Sequence, residues 1–341
     1  MNDPVEIAAR DELGALGIKQ LKRFWSASIA ARGGCPIERE NEWLTDKLLL
    51  GALGLGLHQT MQYLFQFAPG FADFEDWIAT TAGKPDQLLV ERFNAAVTGD
   101  PVPAAVCKWL EGIENSAPVL NDSDLSFWKE NGYVVVRDAI SQANRATAEA
   151  AIWDYSGASP EEPETWYQAA DHGIMLELVQ HPALQANRLS TRTHKAFAQL
   201  WETPDLWASV DRCGFHPPQR DNHPFPGPDL HWDIDFSQPL TFATQGILYL
   251  TDTPEEQGAL TLVPGFHQRI HDWFRQLPAG GDPNMQDLHA LGSKPVGGQA
   301  GDLIIWHQFL PHGASPNLGS QPRIVQYINM QPMTGADSPA D

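Results

Sequence analysis

The 341-residue chain carries 22 basic and 43 acidic side chains, a formal net charge of −21; a field of that sign opposes nucleic acid and anionic membrane surfaces. Hydrophobic residues make up 42% of it and aromatics 10%, enough for a large core and too much for general disorder. Three scattered cysteines, Cys35, Cys107 and Cys213, form no C-x-x-C pair, so they make neither a disulfide framework nor a zinc site and suit a reducing cytosol.

The first residues, Met1 to Ile7, lack a basic stretch followed by an apolar run, so no secretory leader is expected and a cytoplasmic location is read. Residues 1–118 read as a helical region. Leu13, Leu16, Leu21 and Phe24 recur at helical spacing. A longer helix is expected over 43–67, bent near Gly51, Gly54 and Gly56, with Pro69-Gly70 as its stop. Its most apolar part, Leu48 to Leu57, is too short to span a bilayer. Shorter helices fit 74–81, 87–97 and 107–113. The polar stretch 115–122, with Pro118, marks a boundary, and the length is a prior for two domains.

From 119 to 333 the pattern differs. Asp122 or Ser123 is expected to cap a helix that Gly132 ends, before a strand of β-branched residues over 133–137. Helices are expected over 142–155, 174–179, 182–189 and 191–201. Short strands punctuated by Gly and Pro follow at 210–215, 230–234, 241–251, 259–264, 303–307 and 323–331, a pattern of an all-β barrel or sandwich with helices against one face. Residues 334–341 read as a flexible polar tail.

The chemistry concentrates in the strand region. His231 and Asp233 are two residues apart, so on a strand they share a face and can present an imidazole and a carboxylate to one metal ion. The second imidazole comes from His312 or its rival His307; His312 sits between Pro311 and Gly313 and 11 residues before Arg323, a step that favours it. Two histidines and one carboxylate are the facial set of non-haem Fe(II) oxygenases, which leaves three metal positions for reactants. Arg323 begins the next apolar run, where a guanidinium can hold a dicarboxylic co-substrate.

Four ordered motifs carry a family resemblance. Pro228-Asp-Leu-His-Trp-Asp-Ile-Asp235, Gly258-Ala-Leu-Thr-Leu-Val-Pro-Gly-Phe-His267, Gly301-Asp-Leu-Ile-Ile-Trp306 with His312-Gly-Ala-Ser-Pro-Asn317, and Phe127-Trp-Lys-Glu-Asn-Gly-Tyr-Val-Val-Val-Arg137 resemble the phytanoyl-CoA dioxygenase family over about residues 120 to 333. The resemblance implies a double-stranded β-helix (a jelly-roll, cupin-like core), with Fe(II), 2-oxoglutarate and O2 as cofactor and co-substrates. It implies His231, Asp233 and His312 as metal ligands and Arg323 as the co-substrate anchor. It also implies oxidation, above all hydroxylation, of a small-molecule C–H bond with release of succinate and CO2. Asp233 is retained where related halogenases carry a small residue, which favours hydroxylation over halogenation. Desaturation, ring closure and epimerisation remain within the same chemistry.

One position departs from the family. Some members place a hydroxyl two residues after the distal histidine to support the co-substrate carboxylate; here that residue is Ala314. Tyr249 and Thr261 are the candidate replacements. Arg212, His216, Arg220, Arg269 and Trp306 are candidates to line the substrate pocket, for a free or carrier- or CoA-linked metabolite. The N-terminal helices are candidates for a homodimer contact, a cover over the barrel mouth, or a hold on a carrier. Two other classes compete: a zinc hydrolase, which leaves Arg323 without a role, and a non-catalytic metal- or ligand-binding scaffold, which has no need of all four site residues.

Overall fold

The structure, a computed structural model, describes residues 6–35, 42–168, 173–278 and 280–333; the tail expected from 334 lies outside the described residues. The chain divides into two compact units. The first comprises the chain through Ser116 together with Asp205–Asp211. Its helices are α1 (Leu21–Arg32), α2 (Glu42–Ala52), α3 (Leu57–Phe67), α4 (Phe71–Thr81), α5 (Gln87–Thr98) and α6 (Ala104–Glu114).

Two expectations change here for the same reason. The apolar pattern from Leu13 becomes helical only at Leu21, because Gly17 and Gln20 both stand at φ 67, which breaks a right-handed ladder. The single helix expected over 43–67 is two helices, with Gly54 at φ 70 turning the chain between them. Leu48, Leu49, Leu50, Phe74 and Phe93 then pack a core that includes Trp207 from the inserted segment. That segment is held by Arg92, whose guanidinium lies 3.8 Å over the Trp207 ring and donates to Asp205 (2.6 Å) and to the Leu206 carbonyl (2.8 Å).

The second unit comprises Ala117–Pro204 and Arg212–Gln331. It opens with α7 (Asp122–Asn131), capped one residue earlier than expected: Asn121 accepts from the N–H groups of Ser123 and Asp124, and Asp124 returns a bond to Asn121. This reciprocal arrangement satisfies two otherwise orphaned helix donors. Gly132, at φ 73, ends the helix. Then come β1 (Tyr133–Val136), α8 (Gln142–Ser156), β2 (Met175–Leu176), α9 (Pro182–Arg188) and α10 (Thr191–Trp201). Residues 174–179, expected to be helical, hold β2 instead, because they pair at a sheet edge with Cys213 and Gly214; tertiary pairing overrides local preference.

After the short strand β3 (Trp207–Ala208) of the first unit come β4 (Cys213–His216), β5 (Thr244–Tyr249), β6 (Leu260–Leu262), helix α11 (Ile270–Gln276), β7 (Lys294–Val296), β8 (Leu303–His307), β9 (His312–Ala314) and β10 (Arg323–Tyr327). The strands form a six-stranded sheet ordered β1-β8-β5-β10-β4-β2 and a three-stranded sheet ordered β7-β6-β9. The strand expected over 230–234 reduces to one bridge, His231 to His312. Ile247, Tyr249, Ile304, Trp306 and Val325 from the larger sheet share one core with Leu260, Leu262 and Val296 from the smaller. Two antiparallel sheets closed on a common apolar interior, with helices outside, are the double-stranded β-helix. No helix among the described residues is long and apolar enough to cross a membrane.

In the first unit, Glu42 is buried and accepts hydrogen bonds from Arg10, Gln20 and Arg23. Burial works against its charge, but the three donors outweigh it and hold the carboxyl at about 2, below its ordinary 4.5. A carboxylate lowered in this way adds stability above its unfolded pKa and loses it as pH falls through the folded one. Glu42→Gln is expected to destabilise the protein by about 2 kcal/mol at neutral pH, read by urea unfolding under far-UV circular dichroism. The gap between variant and wild type should close as pH falls from 4.5 toward 2. Equal midpoints at pH ~7 would show that this network contributes nothing.

Candidate metal centre and co-substrate clamp

His312 begins β9, and the extended segment that carries His231 lies beside it. The His231 N–H donates to the His312 carbonyl and the His312 N–H to that of His231, each at 2.9 Å. This bridge sets the two imidazoles side by side, 4.9 Å between ring centres. Asp233 follows two residues on, where extended backbone returns its side chain to the same face. His231 Nε2 lies 3.4 Å from Asp233 Oδ1, and His312 Nε2 lies 3.4 Å from Asp233 Oδ2. One ligand atom from each residue fits within 4.8 Å of the others. His312 is buried, His231 half-buried and Asp233 exposed, so the cluster opens on one side.

The histidine tautomers follow from the backbone. His231 Nδ1 donates to the Asp229 carbonyl at 2.7 Å, and His312 Nδ1 donates to the Leu310 carbonyl at 3.1 Å. Each Nε2 lone pair is thereby turned toward the carboxylate, the arrangement that orients imidazoles for a metal. His231, and after it His312, hold the Asp233 carboxyl far below the usual carboxylate range. Asp233 in turn raises His231. Two imidazole nitrogens and an ionised carboxylate facing one point are the donor set that Fe(II) takes in this geometry.

A residue absent from the sequence expectations completes the cluster. Gln245 on β5 shares a face with Ile247 and Tyr249, and its Nε2 donates to Asp233 Oδ2 at 2.7 Å. Trp306, its register partner on β8, donates Nε1–H to Gln245 Oε1 at 3.0 Å. The signal in the sequence is a lone amide in alternation with core positions of a buried strand. Trp306, expected to bind substrate, has its N–H committed to this brace, and its ring lies 5.1 Å from that of His312.

Arg323 begins β10 and is 1% exposed. It shares a strand face with Val325, which packs in the same core as Trp306. Its Nη1 donates to the Gly258 carbonyl at 2.8 Å, while Nε and Nη2 are buried without a partner. A buried guanidinium with two idle donors is costly unless an anion meets it. A planar fork of this kind matches a carboxylate, so the residues present fit the distal end of a keto-diacid.

The other candidates are placed differently. The Tyr249 hydroxyl donates to the Val296 carbonyl (2.8 Å) and accepts from the Leu260 N–H (2.9 Å). It ties β5 to β6 and β7, and burial pushes the phenol up to about 12; its donor is spent on the backbone, not held for a co-substrate. Leu262 pairs with His312, so Thr261 faces away from the metal cluster, which removes it as a support for the clamp. Arg220 donates to Glu164 at 2.8 Å and lies 4.0 Å over the Tyr167 ring, and Arg212 is paired with Glu177 at 3.3 Å. Neither arginine is held in reserve for a substrate anion. His307 packs among Trp128, Phe242, His267 and Phe309, where burial, then His267, pushes it down to about 3. It is a half-buried histidine within an aromatic cluster.

The phytanoyl-CoA dioxygenase (PhyH) family matches residues 128–325, more than half of the chain, and the protein belongs to that family. It is a non-haem iron, 2-oxoglutarate-dependent dioxygenase, an oxidoreductase. A putative phytanoyl-CoA dioxygenase of Dictyostelium discoideum is 22% identical over 264 residues, 62% of this chain and 76% of its own. A methylphosphonate hydroxylase of Gimesia maris is 25% identical over 229 residues, 64% of this chain and 83% of its own. Among solved structures, EctD from S. alaskensis with 2-oxoglutarate and 5-hydroxyectoine is similar at 17% identity and a TM-score of 0.47, over 64% of this chain and 78% of that one.

Removing a group that orients a metal ligand typically costs 10- to 100-fold in metal affinity. Gln245→Leu should weaken Mn(II) or anaerobic Fe(II) binding by roughly 10-fold or more in calorimetry, with Trp306→Phe changing it in the same direction by less. Wild-type affinity in Gln245→Leu would show that the amide is a bystander.

Proposed function

We propose that His231, Asp233 and His312 hold Fe(II), that Arg323 anchors the distal carboxylate of 2-oxoglutarate, and that the outcome is hydroxylation of a substrate C–H bond. The observation that carries this reading is Arg323. Its two idle, buried donors on the core face of β10 have a purpose in a keto-diacid enzyme and none in a zinc hydrolase. When bound, the iron and 2-oxoglutarate supply the oxidation, with O2 consumed and succinate and CO2 released.

The chain's own residues supply position and exclusion. The two backbone carbonyls on Nδ1 keep both imidazoles in the ligating tautomer. Gln245 occupies Asp233 Oδ2 and so favours the other oxygen as the ligand. Trp306, packed in one core with Ile247 and Ile304, backs the buried His312 ring and closes that side of the cluster to water, which strengthens the polar contacts made there. The retained Asp233 carboxylate supports hydroxylation over halogenation, and the methylphosphonate hydroxylase relative points the same way.

For the substrate we favour an uncharged or cationic metabolite over an acyl-CoA, since Arg212 and Arg220 are paired to carboxylates and the net charge is −21. We assign residues 1–118 an accessory role in dimerisation, supported by the exposed Trp43, Phe65 and Phe67, and residues 119–333 the oxygenase role. A cytoplasmic location accords with Cys35, Cys107 and Cys213 standing outside any disulfide.

Asp233→Gly and Arg323→Ala are each expected to abolish succinate release from 2-oxoglutarate under Fe(II) and O2 while leaving the circular dichroism spectrum unchanged. Near wild-type turnover in either folded variant overturns the assignment of that residue.

A further inference from the structure

The clamp around Arg323 lacks the hydroxyl that the family pattern would place at Ala314, and the structure removes both replacements. The Tyr249 donor is spent on Val296, and Thr261 lies on the face opposite to that of Leu262, the register partner of His312. A different group stands beside the guanidinium. His216, the last residue of β4, is the register partner of Arg323 on β10. Register partners in an antiparallel pair project to the same face, so the imidazole and the guanidinium are neighbours.

His216 is 2% exposed, and its Nδ1 has no hydrogen-bond partner. The ring rests on Gly258, where an added Cβ would come within 2.6 Å of Nδ1. Gly258 therefore has two tasks: its missing side chain admits the His216 ring, and its carbonyl accepts from Arg323. Phe225 stacks on the ring from another side, 5.4 Å between centres. Burial, and then the adjacent guanidinium, push His216 down to about 3, so at neutral pH it is an uncharged imidazole with one N–H to give. A merely space-filling residue here would be apolar, because an unpaired buried polar nitrogen costs about 1–3 kcal/mol.

Resting on the Fe(II)/2-oxoglutarate reading above, we infer that His216 completes the co-substrate clamp: its imidazole N–H and the free N–H groups of Arg323 together receive the distal carboxylate of 2-oxoglutarate. His216 takes the place of the missing hydroxyl as a binding and positioning residue. It holds the end of the co-substrate remote from the metal and has no part in the oxidation itself.

The test is calorimetry on the full-length protein loaded with Mn(II), without O2, so that no turnover enters the reading. Three variants are compared, His216→Phe, His216→Gln and Arg323→Ala, each titrated with 2-oxoglutarate and with 2-oxobutyrate, which lacks the distal carboxylate. His216→Phe should weaken 2-oxoglutarate binding about 10-fold or more, the effect of losing a hydrogen bond to a charged group. Its affinities for 2-oxobutyrate and for Mn(II) should stay at wild-type values, and His216→Gln, which keeps a donor, should recover part of the loss. Unchanged 2-oxoglutarate affinity in His216→Phe, with binding lost in Arg323→Ala, removes His216 from the clamp and leaves the rest of the site intact. Equal weakening of both keto acids would reduce its role to packing. Unchanged binding in Arg323→Ala would overturn the clamp as a whole.

Discussion

The paired backbone bonds between His231 and His312 are the constraint on which the rest of the site depends. One imidazole sits in an extended loop segment and the other on a three-residue strand, far apart in sequence. Neither has a rigid element of its own. The reciprocal N–H to carbonyl bonds at 2.9 Å turn two weakly structured segments into one platform. Everything near the metal position follows from that platform: which face Asp233 reaches, which nitrogen each ring presents, and where Gln245 has to stand to meet the carboxylate. Gly313 shows how closely the segments approach, since a Cβ there would fall 2.5 Å from the Asp229 carbonyl.

The second requirement is electrostatic. The site gathers an ionised carboxylate, three imidazoles and a guanidinium in and around one barrel, and each charge is set by its neighbours. Asp233 is held ionised by the two imidazoles beside it. His216 is held neutral by burial and by Arg323. A protonated His216 would confront the guanidinium with a second buried cation. A neutral one leaves a single positive charge to meet a carboxylate, with a hydrogen bond added at no electrostatic cost. The idle donors of Arg323 are best understood as a protein poised for a charged guest, because desolvation of that cation is offset only when its partner arrives.

Much of this was legible in the sequence, and the unreadable part has a physical pattern. Residues that act through their own chemical type stood out: the His231 and Asp233 pair, His312 with Gly and Pro about it, and Arg323 after Pro322. So did elements governed by local rules, such as the helix over 191–201 and the strand over 303–307. What could not be read depends on register. Tyr249 and Thr261 both lie on strands after the metal motif, and only the pairing shows one tied to the backbone and the other facing away. Gln245 is an ordinary residue in a strand pattern until its cross-strand partner, Trp306, is known, and His216, a pocket candidate in the sequence, gains its place beside Arg323 only from the pairing. The strands β7 and β9 have three residues each, too few for an alternation to register, and Pro295 makes β7 read as a loop. In the helical unit, the positive φ at Gln20 has no counterpart in composition, so the start of α1 was misplaced.

The two sheets divide the work. The smaller sheet, through β9 and the segment bridged to it, carries the metal-side histidines. The larger sheet, through β4 and β10, carries Arg323 and His216. Tyr249 joins them, with one phenolic oxygen serving the Val296 carbonyl and the Leu260 N–H from β5, at a position fully sealed from solvent. The distance from the metal position to the clamp is therefore fixed by how tightly the barrel closes, and not by any flexible side chain. A close-packed core resists small changes in spacing, so on the proposed assignment of Arg323 a co-substrate would be selected by its length. Such selection would come from the barrel itself, and would leave the loops around the open side of the cluster free to vary with the molecule oxidised.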